Sequence, residues 1–506
     1  MSPLSNYNST KGVAFVAIMA CNFIAIDTCL AAVPVQLSEP NNLASTNELP
    51  LSLSSAIKQA QQNDPWLNGN LHKQQAIESL STVANTLPDP KISIGIANLG
   101  ADNFEFDQEP MSQFKVGVTQ MFPRGDSLAI KQKQLKQQSE QYPLLREDRK
   151  IKVAATVGSL WLDAYKTQQS VALIEQSRQL FIELIDVAAA NYASARKNVK
   201  QQDVVIAEIE LTRLEDKIAL LQQQQTRIGG QLSQWLTSYN SSSSDPARSN
   251  LNNDLSVYQP NYLKNGVLNV DKQFPDLQLL QTDIINHQRS LTPPQLAQYF
   301  SQHPSVLALD KKLTATATGV NLAEQKYQPE WGVTASYAYR DDDPMGNNRA
   351  DLLSLGITFD LPLFTENRQD NEVRAAISET EVVKTERILL LRKMMASFSS
   401  SKGRLHQLKR REILFSDKLL PQINEQIEST LSSYTNNDGS YAQVLRARIS
   451  LLMAQVDLLS IQVEQQKLVL ELNYLFSRGN SNFAERMTIA SKSLNKVSQE
   501  SRNAEQ

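Results

Sequence analysis

"KVGVTQMFPRGD", residues 115–126, sets Val116 and Val118 between Lys115, Gly117 and Thr119 and then stops at Pro123-Arg124-Gly125. Alternation with a period of two and one apolar face describes a half-buried strand. The sequence on both sides reads as helix, so the strand needs a partner from elsewhere. "SLGITFDLPLFTEN", residues 354–367, has the same pattern. Gly117 and Gly356 are 239 residues apart, and so are Pro123 and Pro362, and Pro90 and Pro329. A constant offset over several landmarks marks an internal repeat.

Each copy carries a second strand upstream. Ile92, Ile94 and Ile96 share one face in the first copy, and Trp331, Val333 and Ala335 share one in the second. In the later strands Phe114, Val116, Val118 and Phe122 match Leu353, Leu355, Ile357 and Leu361. Strands are expected at about 91–99, 112–122, 331–340 and 351–361. Polar, acidic loops join each pair: "GADNFEFDQEP" with Asp102, Glu105, Asp107 and Glu109, and "RDDDPMGNNRA" with Asp341–Asp343.

The helices repeat as well. Val204, Ala207, Leu211, Leu214, Ile218 and Leu221 recur 240 residues later as Val444, Ala447, Leu451, Ala454, Leu458 and Ile461, and Gln225 recurs as Gln465. The 3-4 spacing is a coiled-coil seam. One helix is expected from about Ser127 to Asn198, roughly 105 Å at 1.5 Å per residue. Pro143 and Pro421 should bend or kink the long helices.

Strands of this length and alternation suit a tilted membrane strand. Four strands cannot close a barrel, and lipid does not tolerate an open edge. Three copies would supply about 12 strands. The fold class expected is therefore a mixed α/β membrane protein with two repeats per chain. Phe114, Val116, Val118, Leu355 and Ile357 are the candidate lipid-facing residues.

Other features bound the function. The chain has 506 residues and a net charge of −3, with no basic footprint for nucleic acid. Lys11 followed by the apolar run Gly12–Ile26 reads as a signal peptide, residues 1–32, and is shorter than a membrane helix. "IMAC" at Cys21 faintly resembles a lipidation box. Cys21 and Cys29 are the two cysteines, so cleavage leaves no thiol. His72, His287, His303 and His406 are scattered without metal spacing. No catalytic group, metal site or cofactor is expected. The remaining organisation is an extended lead-in at 33–50, a first repeat at 51–236, a polar inter-repeat segment at 237–299 bearing an equatorial region, a second repeat at 300–478 and a disordered tail at 479–506.

"LSLSSAIKQAQQNDPWL", "LPDPKISIGIANLG", "VGVTQMFPRGDSLAIKQ", "LPLFTENRQ" and "LLPQINEQIESTLSSY", in that order, resemble the TolC-like outer-membrane efflux family. "QQDVVIAEIELTRLEDKIAL" and "YAQVLRARISLLMAQVDLL" follow the helical turns as in that family. The resemblance covers about 51–236 and 300–478. It implies a homotrimer whose barrel of about 12 strands sits in outer-membrane lipid. It also implies a periplasmic coiled-coil helical barrel, a periplasmic adaptor (membrane fusion protein) and an inner-membrane pump of the resistance-nodulation-division type. Within the family, "LPDPKISIGIANLG" and the turn after Gln120-Met121-Phe122-Pro123 look most like the metal-ion efflux branch, which often shows Gly-Lys after its proline-rich turn; Arg124-Gly125-Asp126 departs from that pattern. A type I secretion exit duct and a pore-less periplasmic scaffold are the alternatives.

The resemblance also places the functional tips. Ala193, Ser194, Arg196, Asn436, Asp438 and Gly439 are the implied adaptor contacts. In the family two aspartates constrict the pore at the second turn; here "AQVLRA" puts Gln443 and Arg446 at those positions, while the first repeat has Asp203. These three residues form the candidate periplasmic gate, with an Arg446–Asp203 pair between protomers.

Overall fold

The computed structural model describes residues 50–193, 201–237, 263–264, 267–286, 291–436 and 439–478. The chain divides into Met1–Asn47 and Glu48–Gln506, and every described element belongs to the second unit. The expected signal peptide and tail lie outside the described residues.

The order of elements is α1 (Leu53–Gln62), α2 (Pro65–Val83), β1 (Lys91–Ala97), β2 (Gln113–Phe122), α3 (Ser127–Ser139), α4 (Gln141–Ala193) and α5 (Gln201–Leu236). Then come β3 (Leu263–Lys264), β4 (Val267–Leu268), α6 (Thr282–Asn286), α7 (Pro293–Phe300), α8 (Pro304–Glu324), β5 (Trp331–Tyr339) and β6 (Leu352–Phe359). Last are α9 (Gln369–Leu414), α10 (Leu420–Thr435) and α11 (Tyr441–Leu475).

Helix starts follow from local chemistry. Asp64 caps α2, accepting from Trp66 N at 3.1 Å, with Pro65 behind it. Proline fits a first helical turn because its missing N–H would have no partner there. His303 plays the same part for α8 ahead of Pro304, and Ser440 for α11.

The single helix expected over 127–198 is instead two, α3 and α4, parted at Glu140. Pro143 explains the break. It cannot donate to the Ser139 carbonyl, and its ring crowds that group. Side chains take over freed carbonyls: Ser139 Oγ donates to Lys136 O at 2.8 Å and Gln141 Nε2 to Gln138 O at 3.0 Å. Pro421 acts differently. The helix runs through it by widening into a π-helical turn, Phe415–Leu419, between α9 and α10. An inserted residue relieves the clash without ending the helix.

Helices pair side by side: α4 with α5, α10 with α11, α8 with α9 and with α3. One core gathers Trp161, Leu162, Ile57, Leu232 and Leu236. Leu268, Val270 and Leu277 from the inter-repeat segment join it, and Leu51 bridges to Val270. That segment, expected as a polar linker bearing an equatorial region, contributes apolar residues to this core. Phe300, Phe398 and Phe476 centre a second core. Ile174, Phe181, Leu214, Tyr441 and Leu445 make a third near the α4–α5 and α10–α11 turns.

The four long strands form one antiparallel sheet in the order β1-β2-β5-β6. β1, β5 and β6 end one or two residues short of their expected ends, and β2 starts one residue late and ends at Phe122 as expected. Past β1 the backbone turns left-handed at Asn98 (φ 58°), which ends the pleat.

Candidate functional site

The register sorts the sheet into two faces. One row runs Ile94, Val116, Tyr337, Leu353; the next runs Ile92, Val118, Ala335, Leu355. Phe122, Trp331 and Phe359 make a row at the helix-proximal end, with the Trp331 and Phe359 rings 5.1 Å apart. Intervening rows are small or polar: Ser93, Gly117, Ser336, Ser354, and Lys91, Thr119, Thr334, Gly356. Thr119 and Thr334 hydroxyls meet at 3.1 Å across β2 and β5. A Cβ on Gly117 would lie 2.8 Å from Ser93 Oγ, so this face packs too closely for a side chain there.

In the central strands β2 and β5 the apolar face is the more exposed one, and the edge strands β1 and β6 are exposed on both faces. Leu355 is 77% exposed and Ile94 69%. Phe114, Val118 and Ile357 are also exposed, and Val116 is half-buried between Ile94 and Tyr337. Burying such side chains is worth about 1.5–3 kcal/mol each. A contiguous apolar surface of this size marks a face covered by something other than water. The sheet is also open at both sides, since β1 and β6 each have one neighbour.

Loops cross-link above the sheet. Arg349 reaches the Glu109 carbonyl at 3.4 Å, tying the acidic loops together. Asp343 accepts from the Asn347 and Met345 amides at 2.7 and 2.9 Å and from the Asn347 side chain at 2.8 Å. These bonds, the Asn347 side chain foremost, hold its carboxyl below the usual range.

Below the sheet, Arg124 joins the two halves of the chain. It donates to Gln328 O at 2.9 Å and Lys326 O at 3.3 Å and pairs with Asp360. Gly125 next to it has a φ of 44°, and Asp126 N donates to Gln325 Oε1 at 3.0 Å. Sequence reasoning treated Arg124-Gly125-Asp126 as a departure from a branch pattern and missed this role. The available signal was an Arg and an Asp at the ends of corresponding strands.

In the turn region, Asp203 is buried, 6% exposed, and its carboxylate accepts from Ser440 Oγ at 3.0 Å. Ser440 in turn caps α11 through Ala442 N at 3.2 Å. Tyr441 is buried beside Tyr434, ring centroids 5.9 Å apart, and its hydroxyl has no hydrogen-bond partner among the described residues. Burial pushes that phenol well above its ordinary pKa. Gly439 closes the turn where a Cβ would meet Tyr434 N at 2.8 Å. Gln443 and Arg446 are exposed on α11. Asn436 is exposed at the end of α10; Ala193 ends α4; Ser194, Arg196 and Asp438 lie outside the described residues. Asp203, Gln443 and Arg446 thus share one region, with Asp203 bonded to Ser440 within the chain.

Between these regions, Asp64 pairs with Arg149 Nε at 2.7 Å, and the guanidinium lies 5.6 Å from the Trp66 ring and 5.4 Å from that of Trp235. His303 is buried, receiving Ser305 N at Nδ1 (3.3 Å) and placing Nε2 3.0 Å from the Tyr474 carbonyl. Burial lowers its pKa, with Asp148 pulling the other way. Among the described residues no cluster of three or more His, Cys, Asp or Glu could hold a metal, and no helix is long and apolar enough to cross a membrane.

No protein-family model matches the chain, and no curated protein matches its sequence. Solved structures do. The Campylobacter jejuni CmeC outer membrane channel superposes with a TM-score of 0.65 at 12% identity, over 87% of this chain and 89% of that one. The outer membrane protein VceC from Vibrio cholerae gives 0.62 at 13%, over 85% and 97%. The open-state MtrE outer membrane channel of Neisseria gonorrhoeae gives 0.60 at 13%, over 84% and 89%. The likeness is one of fold and extends over nearly the whole of those chains.

Proposed function

We propose that this chain is a TolC-like outer-membrane channel subunit that assembles as a homotrimer, a passive conduit for efflux. One observation carries the reading: a four-stranded sheet with an apolar exposed face, a polar opposite face and two unpaired edges, set among helices of 53 and 46 residues. The edge strands β1 and β6 run in opposite directions, because three antiparallel pairings separate them. The β6 edge of one copy can therefore pair antiparallel with β1 of the next, and three copies close a barrel of about 12 strands. Closure supplies every edge N–H and C=O with a partner, which lipid demands.

In this reading Phe114, Val116, Val118, Leu355 and Ile357 face lipid, the acidic loops face the exterior and the helices form a periplasmic barrel. The two sequence repeats supply one strand pair and one helix pair each. A periplasmic adaptor meets the turns around Ala193–Arg196 and Asn436–Gly439, and an inner-membrane pump of the resistance-nodulation-division type supplies the energy. Asp203, Gln443 and Arg446 form the gate. Arg446 of one protomer, exposed on α11, approaches Asp203 of its neighbour, whose carboxylate is buried and already accepts from Ser440 within its own chain; the contact forms beside that bond and breaks when the adaptor docks.

The test is assembly and conduction of the full chain. Outer-membrane fractions should contain a heat-modifiable trimer that conducts in planar bilayers. A monomer in the soluble periplasmic fraction with no conductance would leave the scaffold reading. Arg446→Ala or Asp203→Ala should raise resting conductance, and the double change should add little beyond either single one.

A further inference from the structure

The polar face of the sheet carries charge of a single sign within its strands. Its residues are Lys91, Ser93, Gly95 and Ala97 on β1; Gln113, Lys115, Gly117, Thr119 and Met121 on β2; and alternate residues of β5 and β6, which are Gly, Thr, Ser, Ala or Leu. Two lysines stand there and no carboxylate. Lys115 sits in the row Gly95, Lys115, Ala338, Leu352, so neither strand neighbour has a polar side chain to pair with it. It is exposed and makes no ion pair within the described residues. Lys91 lies about four residues, or roughly 13 Å, nearer the helices. Asp89 precedes it and Glu330 lies beyond the strands at that end. Asp360, at the same end, is neutralised by Arg124.

We propose that Lys115 sets the ion preference of the lumen, so that the barrel wall favours anionic solutes. The proposal rests on the channel reading above, which turns this face inward and repeats Lys115 around one ring. Three ammonium groups at one height, with no counter-charge in their row, raise the local anion concentration. The acidic loops at the mouth act in the opposite sense. Cargo leaving the barrel thus crosses a positive zone and then a negative one. Field effects from the wall reach across an aqueous pore only when the Debye length is long, ~30 Å at 0.01 M and ~3 Å at 1 M salt.

Full-length trimer is reconstituted in planar bilayers, and the anion-to-cation permeability ratio is read from reversal potentials in potassium chloride gradients. Lys115→Gln should lower that ratio roughly twofold near 10 mM salt and leave it almost unchanged at 1 M. Lys115→Arg should keep the original ratio. Lys91→Gln, with Asp89 close by in sequence, should give a smaller shift of the same sign, and it serves if the Lys115 change impairs assembly. An unchanged low-salt ratio in both Gln variants overturns the assignment of selectivity to the wall while leaving a working channel. Equal shifts in Lys115→Gln and Lys115→Arg overturn the role of charge. Absence of any current from the unsubstituted chain overturns the channel reading and this proposal with it.

Discussion

The sheet and the turn region invert each other's burial. In the sheet Leu355 is 77% exposed; at the turns the carboxylate-bearing Asp203 is 6% exposed. A water-soluble surface built by the usual rule would exchange the two. The difference shows what each region answers to. The exposed leucines and isoleucines of the sheet suit an apolar medium, as the channel proposal requires. The buried aspartate instead holds two helical turns together, because its carboxylate accepts from Ser440, the residue that caps α11.

The largest expected effect comes from forcing the sheet to obey the water rule. Leu355→Arg places a cation on the apolar face and should cost about 2–4 kcal/mol per copy at mid-bilayer. The yield of heat-resistant trimer should fall sharply, while Ser354→Arg, one residue along on the opposite face, should be milder. Equal losses from both would dissolve the distinction between faces.

Obeying the rule at the other region should cost less. Asp203→Ala removes the acceptor for Ser440 Oγ and should weaken the turn by about 1–3 kcal/mol. Hydrogen exchange at the first turn of α11 should speed up, with the sheet amides unaffected. Gly439→Ala should act on the same turn through crowding against Tyr434 N, costing about 1–3 kcal/mol. Unchanged exchange in both would detach Asp203 and Gly439 from turn stability.

A pH scan separates the helical middle from both regions. Burial holds the folded His303 below its unfolded pKa of about 6.5. Its contribution is therefore complete above about pH 6.5 and is lost as pH falls through the lower folded value. Protonation at Nδ1 removes the acceptor that caps α8. Thermal unfolding of trimer should weaken more steeply from pH 7 to pH 5 in the unsubstituted chain than in His303→Gln. Parallel pH profiles would remove His303 from the account. The smallest effect is expected at the mouth, where Asp341→Asn with Asp342→Asn should lower cation preference slightly and only at low salt.

Much of this was legible in the sequence because it is local. Val116 and Val118 alternate with Gly117 and Thr119, and a pleat turns alternation directly into faces. Pro143 and Pro421 announced disturbances in the helices, since a missing N–H and a ring clash belong to the residue itself. Yet one became a break and the other a π turn, a difference that the proline alone does not encode. Gln225 and Gln465 occupy the same place in the seam, but Gln225 donates to the Leu268 carbonyl at 3.3 Å and Gln465 to Glu412 at 2.7 Å. Equivalent positions in a repeat need not keep equivalent partners.

The sequence alone thus determined where the strands lie, the polarity of each strand face and the pairing of landmarks 239 residues apart. Periodicity is written residue by residue and needs no fold to express it. Only the tertiary structure decided that β2 pairs with β5, that Arg124 reaches Asp360 across 236 positions, and that Asp203 meets Ser440 across 237. It also drew Leu268, Val270 and Leu277 out of a polar stretch and into the core around Trp161 and Leu232. The repeat offset brings corresponding segments together, but which side chains meet there is decided by the packed geometry, and a buried carboxylate such as Asp203 must find a donor.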